Sequence, residues 1–257
     1  MENQNKHTQK KVIILGGSSG IGKATAQRFA REGWYVLVAS NDYEQCRETV
    51  DQLESGEHLA CEADVRSETH LRKLKKIVSE EFGDFNVLVN SVGISRNHGV
   101  LDSDFADWDE AIQVMMYGAV KACRTLVPLM KDGGRIIHIT SIHYQRVAKG
   151  SSAYGMAKAA VTQFTRSLAL ELAPRNILAN TIAPGFIDTP MSVKEDGQNE
   201  LETEWFKKNY VEANNLPLKR PGRPEEVAGV AWFLAGPDAS YMTGSVVTVD
   251  GGLTITF

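Results

Sequence analysis

Apolar residues recur along the chain in two patterns. Short, nearly continuous runs at 12–15, 35–39, 87–90, 135–140, 178–182 and 245–250, with a weaker one at 58–62, predict buried β-strands. Helix-length amphipathic segments fall between them, at 22–32, 43–54, 67–82, 105–130, 152–173 and 224–235. Strands that are apolar on both faces and alternate with helices imply βαβ units and a parallel sheet covered on both sides. About seven strands and six or more helices account for residues 1–257 as one doubly wound α/β domain rather than two. Residues 1–11 form a polar tail outside this pattern.

Composition narrows the class. Hydrophobic residues make up 42% of the chain, enough for a core without disulfide or metal staples. The 28 basic and 32 acidic residues leave a net charge of −4, so no basic field draws the protein to nucleic acid or to an anionic membrane. No apolar run approaches the roughly 18 residues of a membrane span, and the start has no apolar leader core. Cys46, Cys61 and Cys123 lack metal-ligand or redox spacing, which predicts reduced thiols in a cytoplasmic protein and no metal site.

The first strand runs into Gly16-Gly17-Ser18-Ser19-Gly20-Ile21-Gly22, and a helix follows. Gly16 suits a tight turn, Gly20 a close backbone approach to a pyrophosphate, and Gly22 close packing of helix on strand. The helix N-terminus would aim amide donors and a positive dipole end at the phosphates. The spacing is G-x-x-x-G-x-G rather than G-x-G-x-x-G. Further on, Tyr154 and Lys158 stand four residues apart at the start of a helix and share a face. A phenol titrates near 10, and a neighbouring ammonium favours its ionised form. Alone, such a pair is ordinary surface chemistry.

Together these features, with Asn90-Ser91-Val92-Gly93, Ser141 thirteen residues before Tyr154, and Pro184-Gly185, resemble the short-chain dehydrogenase/reductase family in order and spacing. The resemblance extends through Arg220-Pro221-Gly222-Arg223-Pro224 and Asp250-Gly251-Gly252 to nearly the whole chain. It is strongest to the branch of 3-oxoacyl-carrier-protein reductases and small alcohol and sugar dehydrogenases. It implies hydride transfer between a nicotinamide cofactor and a carbonyl or secondary alcohol. Tyr154 would be the general acid or base, Lys158 would lower the tyrosine pKa and hold the nicotinamide ribose, and Ser141 would hold the substrate oxygen. Gly16, Ser18, Ser19, Gly20, Ile21 and Gly22 would cradle the phosphates. Asp64 and Val65 would meet the adenine, and Asn90 and Gly93 would support the cofactor. Pro184, Gly185, Ile187 and Thr189 would border the nicotinamide. The resemblance also implies a homotetramer pairing the 105–130 and 152–173 helices.

The sequence departs from the family at four places. Leu15 replaces a threonine, and Ser91-Val92 replace Asn-Ala. Met115 stands where the family has an asparagine that helps hold a water relaying protons to the lysine, and a thioether donates nothing. Either Met115 simply packs, or proton relay slows. At the second strand's end, Ala39 and Ser40 occupy the places of an NAD-selecting aspartate and an NADP-selecting arginine. Absence of the acid removes repulsion of a 2′-phosphate, and Ser40 and Asn41 can donate to it, which favours NADP over NAD. Asp42 argues for NAD if the register slips.

The substrate wall is expected from 95–101, 143–147 and the loop or lid 186–217. His143 is a candidate for substrate contact or for a purely structural hydrogen bond. Leu201, Trp205, Phe206 and Tyr210 fit one amphipathic helix over 199–214. Glu195, Asp196, Glu200, Glu202 and Glu204 would repel an acidic carrier protein, so a small carbonyl or alcohol ranks above 3-oxoacyl-carrier-protein as substrate. Lys131 and Arg175 are the basic positions that could serve a carrier. A dinucleotide-binding sensor without chemistry is the alternative of another class, suggested by Met115 and Val92 and disfavoured by the intact Ser141, Tyr154 and Lys158.

Overall fold

Period-two alternation sends the residues of each central strand to opposite faces of one sheet, and both faces are apolar. In a computed structural model, residues 9–54, 56–95, 99–101, 103–194 and 196–256 are described. The strands are β1 (Lys11–Leu15), β2 (Tyr35–Ser40), β3 (Leu59–Glu62), β4 (Phe85–Asn90), β5 (Met130–Ile139), β6 (Leu178–Pro184) and β7 (Val246–Val249). They form one parallel sheet in the order β3-β2-β1-β4-β5-β6-β7. Ile13, Leu15, Leu37, Leu88 and Ile136 face one core, while Val12, Ile14, Val36, Val38, Val89 and Ile137 face the other. This is the doubly wound α/β fold that the strand–helix alternation predicts.

Helices cover the two faces. On one lie α1 (Gly20–Arg31) and α8 (Pro224–Ala235), through Ala26, Phe29, Val227 and Ala231. On the other lie α3 (Glu68–Ile77), α5 (Gly118–Leu126) and α6 (Ser152–Glu171), through Leu74, Leu126 and Leu168. α2 (Tyr43–Asp51) follows β2, and α4 (Phe105–Ala111) precedes α5. Phe29, Trp34 and Trp232 pack edge to face, with ring centroids 5.1–5.8 Å apart, and tie α1 to α8.

The strand order reverses where β1 lies between β2 and β4. Ligands of open α/β sheets bind in the crevice beyond such a reversal. Ser91 N donates to Leu15 O at 2.8 Å, so the segments leaving β1 and β4 start side by side.

Three helices differ from expectation, the 67–82 segment by turning π-type at Val78–Phe82. The 105–130 segment is helical only as far as a 3₁₀ turn at Val127–Leu129, since β5 starts at Met130, and Ile112–Tyr117, which carries Met115, is a wider π-type stretch between α4 and α5. The single helix expected over 199–214 is broken. A 3₁₀ turn at Glu200–Glu202 ends at Thr203, whose backbone is extended, and α7 (Glu204–Phe206) continues into a π-type stretch at Lys207–Glu212. The cause is local. The Thr203 hydroxyl donates to Glu200 O at 2.7 Å and accepts from Phe206 N at 3.1 Å, so it caps a new helix instead of continuing the turn before it.

Candidate active site

A cleft of about 670 Å³ opens at the C-terminal ends of the strands. Its wall contains Gly16, Ser18, Ser19, Gly20, Ile21, Ser40, Asn41, Asp64, Val65, Gly93, Ser141, His143, Tyr154, Lys158, Pro184, Gly185, Ile187 and Thr189. These come from seven separate stretches of sequence. Two predicted residues are not in the wall, and both serve backbone geometry. At Gly22 a Cβ would lie 2.0 Å from Gly16 O, so only glycine lets α1 approach β1 this closely. Asn90 is buried, and its Oδ1 accepts from Val92 N at 3.1 Å, shaping the turn after β4 rather than facing the cleft.

The glycine loop is shaped as a cradle. Gly16 has φ +71°, and a Cβ there would strike the Ser91 backbone at 2.8 Å. Gly20 has φ +49°, and Thr189 closes over it at 3.3 Å from an ideal Cβ position. α1 starts at an extended Ser19 with no side-chain cap and no acid in its first turn. By contrast, α2, α3 and α4 are capped by Asp42, Ser67 and Asp104. The uncapped amides of α1 next to this loop suit an anionic group. A dinucleotide therefore fits the residues present.

At the second strand's end, no acid from β2 lines the cleft. Ala39 is buried, with its carbonyl accepting from Gly16 N at 2.7 Å. Asp42 is used as the cap of α2, accepting from Gln45 N at 3.0 Å and Gln45 Nε2 at 2.8 Å. The Ser40 hydroxyl is already engaged, donating to Asp42 O at 3.1 Å with Cys46 Sγ also at 3.1 Å. Of the pair expected to donate to a 2′-phosphate, Asn41 keeps its side chain free of such turn contacts.

Asp64 lines the cleft in a close ion pair. Arg66 Nη2 donates to its Oδ2 at 2.8 Å, and Arg66 N to its Oδ1 at 2.8 Å. These hydrogen bonds hold the carboxyl below its ordinary value. Arg66 also lies 3.4 Å from Glu110, and both line the cleft. Sequence analysis did not identify either. The i,i+2 Asp-Arg pair was a local signal for Arg66. Glu110, 44 positions away, had none.

Ser141 follows β5, and Tyr154 and Lys158 sit in the first turns of α6. Lys158 is 4% exposed, and its Nζ donates to Ile139 O at 3.0 Å. Burial lowers its pKa to about 8. The same Nζ stands 5.5 Å from the centroid of the Tyr154 ring. The resemblance implies that Lys158 depresses the Tyr154 pKa, and in this structure other influences weigh on the phenol. Burial pushes the phenol upward, and Ser141 as hydrogen-bond partner pulls it partly back. The Lys158 ammonium is meanwhile turned to the Ile139 carbonyl.

His143 packs its ring edge-on against Tyr154, with centroids 5.7 Å apart. Burial lowers its pKa, and its Nδ1 is buried with no hydrogen-bond partner. The structural hydrogen bond considered for its side chain is therefore missing at Nδ1. Met115 is 2% exposed, packed with Ala111, Ala153 and Ala157, and its Sδ lies 3.8 Å from where a Gly93 Cβ would stand. Lys158 Nζ is 3.3 Å from that same point, so a thioether fills the space beside the lysine.

The 186–217 segment also lines the cleft, through Phe186, Met191, Glu200, Trp205 and Tyr210 among others. Residues 96–98 and Glu195 of the expected substrate wall lie outside the described residues. No three His, Cys, Asp or Glu side chains could hold a metal among the described residues, and none of their helices is long and apolar enough to cross a membrane.

The comparisons agree with this geometry. A family model described as enoyl-(acyl carrier protein) reductase matches residues 16–254. Carbonyl reductase family member 4 of Xenopus laevis is 36% identical, over 96% of this chain and 98% of its own. A 3-oxoacyl-[acyl-carrier-protein] reductase of Thermotoga maritima is 35% identical, over 96% and 98%. A solved short-chain dehydrogenase/reductase of Serratia marcescens superposes with a TM-score of 0.87 at 31% identity, over 95% of this chain and 98% of its own. With the sheet order, the glycine cradle and the Ser141–Tyr154–Lys158 constellation already in place, the chain belongs to the short-chain dehydrogenase/reductases and is an oxidoreductase of that family.

Proposed function

We propose that the enzyme interconverts a small ketone or aldehyde and its alcohol, with Ser141, Tyr154 and Lys158 as the catalytic residues. The observation that carries this is their convergence on one cleft wall, continuous with the glycine loop and the uncapped start of α1. In reduction, the Ser141 hydroxyl donates to the substrate oxygen and steadies the charge growing there. The Tyr154 phenol gives that oxygen its proton, and in oxidation it takes the proton back. Lys158, with its pKa near 8, stands ready to return a proton to the tyrosine side. A nicotinamide dinucleotide, held by residues 16–22, Asp64, Val65, Gly93 and 184–189, supplies or accepts the hydride when bound.

NADP is the proposed cofactor over NAD. Support comes from the cleft wall, to which the end of β2 contributes no acid; Arg66 lines the wall as well, paired with Asp64. A kcat/KM at least tenfold higher with NADP is the expected result, and an equal preference for NAD overturns it. The chain is further proposed to work as one domain, in the cytoplasm and as a homotetramer. The three cysteines are buried free thiols, and Phe105, Tyr117, Met156 and Leu170 are exposed apolar side chains along α4 to α6. Light scattering tests the tetramer, and a monomer at micromolar concentration overturns it.

The substrate is proposed to be small rather than carrier-bound. The two basic side chains that could meet an acidic carrier are engaged elsewhere. Lys131 pairs with Asp84 at 3.5 Å, and Arg175 with Asp132 at 2.7 Å. Reduction of a 3-oxoacyl thioester is the second reading, favoured by relatives that carry that name. The test is turnover of ketones, aldoses, secondary alcohols and acetoacetyl thioesters, each with wild type and Tyr154→Phe. Loss of turnover in the variant supports the reading, and equal turnover overturns it.

A further inference from the structure

The cleft wall also includes a corner that proton and hydride transfer do not use. Trp205 and Tyr210 line it, together with Phe186 and Glu200. The Trp205 and Tyr210 rings meet at 73°, with centroids 5.6 Å apart, so they form two walls of a corner rather than a stack. Tyr210 is fixed from behind by Phe186 at 4.7 Å and by buried Phe206 at 5.2 Å. Trp205 has no such backing and keeps 64% of its surface exposed. An indole left this open beside a cleft is apolar and quadrupolar surface with nothing on it.

Glu200 completes the corner. Its carboxylate lies close enough to Tyr210 to add to burial in raising that phenol. Among the described residues no cation pairs with it, whereas neighbouring Glu204 is taken by Lys207 at 2.8 Å. Lys149 also lines the cleft, and among the described residues it makes no ion pair with Glu200. Two aromatic faces at right angles and an unpaired carboxylate suit a bulky, weakly hydrated cation. A neutral sugar could stack on Trp205 but would leave the carboxylate uncompensated. An anionic carrier or acid would be repelled by it.

We propose that the substrate carries an ammonium group, as an amino ketone or amino alcohol. Glu200, Trp205 and Tyr210 would seat the ammonium while the carbonyl carbon faces Tyr154. This rests on the oxidoreductase reading of the same cleft. It also explains the open indole and the unpaired acid, which that reading alone leaves without a task.

The experiment uses the full-length enzyme and two matched ketones. One carries a trimethylammonium group two carbons from the carbonyl, and the other carries a tert-butyl group in its place. Reduction is followed with NADPH and NADH, and binding of each ketone to the enzyme with oxidised cofactor is followed by calorimetry. The cationic ketone is expected to show kcat/KM about tenfold above its neutral isostere, with the gain in KM. Glu200→Gln and, separately, Trp205→Leu should each cut that ratio severalfold, and both side chains are exposed, so folding is not at risk. Equal kcat/KM for the two ketones, with Tyr154-dependent turnover, overturns the proposal and leaves the oxidoreductase reading intact. Glu200-dependent binding of the cationic ketone without turnover overturns that reading for this substrate and keeps the cation site. No preferential binding of the cation, with or without turnover, overturns the site.

Discussion

The cleft has two ends built on different physical terms. At the cofactor end, backbone approaches backbone between strand exits, with glycines where any Cβ would collide within 2.0–2.9 Å. At the substrate end, short 3₁₀ and π-type turns carry aromatic side chains on a small satellite core of Leu201, Phe206 and Leu216. The first end tolerates one backbone path. The second holds its shape through a few side-chain contacts and can vary without disturbing the sheet. Ser141, Tyr154 and Lys158, the residues proposed for the chemistry, line the same cleft.

The largest expected effect is at these residues. Tyr154→Phe should lower kcat/KM by about a thousandfold, within the usual range for a general acid, while nucleotide binding measured by fluorescence persists. Loss of both together would mean that Tyr154 belongs to the cofactor end instead. Next comes pH. Lys158 has its pKa lowered from 10.5 to about 8 by burial. Below pH 8 both folded and unfolded chains carry the proton, and the fold bears the cost of burying it. Above 10.5 neither does. Stability should therefore rise between these values by up to about 3 kcal/mol, and Lys158→Met should flatten the rise in denaturant titrations.

His138 gives a comparable slope on the acid side. It is fully buried between Thr165 at 2.9 Å and Cys123 at 3.6 Å, and its pKa falls to about 4 through burial and then the Lys158 charge. The unfolded chain binds more protons between pH 4 and 6.5, so stability should fall by up to about 3 kcal/mol as pH drops through that window. A flat profile there would place the acid sensitivity elsewhere.

A pair of glycine substitutions sharpens the contrast between the two ends. Gly22→Ala forces a Cβ against Gly16 O, and should cost about 1–3 kcal/mol in unfolding free energy along with nucleotide affinity. Gly197, in the lid at φ +82°, has nothing within 4 Å of its Cβ position. Gly197→Ala should cost only the left-handed strain of about 1 kcal/mol and spare nucleotide affinity. Equal losses would show that the lid is as constrained as the cradle. The smallest effect is expected at Met115→Asn, where a donor beside Lys158 should raise the reduction rate and leave cofactor affinity alone. A rate equal to wild type across pH would mean that Met115 only packs.

Legibility in the sequence follows the same division. The strands and the cradle were readable because burial on both faces of a parallel sheet leaves continuous apolar runs, and because close backbone approach demands glycine at set positions. Gly22 packs α1 onto β1 as its place in the motif implies, while the turn-shaping bond of Asn90 to Val92 N was not visible in spacing alone. The 199–214 segment has helical spacing at Leu201, Trp205, Phe206 and Tyr210, yet Thr203 caps in the middle of it. A side-chain hydrogen bond there outweighed periodicity.

By itself the sequence determined the class of fold and the family, and it singled out the glycine loop and the three residues proposed for the chemistry, because these rest on local conformation and on spacing along single elements. Only the tertiary structure decided what surrounds them. It brought Arg66 to Glu110 across 44 residues, turned Lys158 toward Ile139 O, and sealed Met115 beside it. It also brought Trp205, Tyr210 and Glu200 to the wall of the cleft. Charge balance, desolvation and ring geometry depend on distances between elements, and those are fixed by packing rather than by any short stretch of chain.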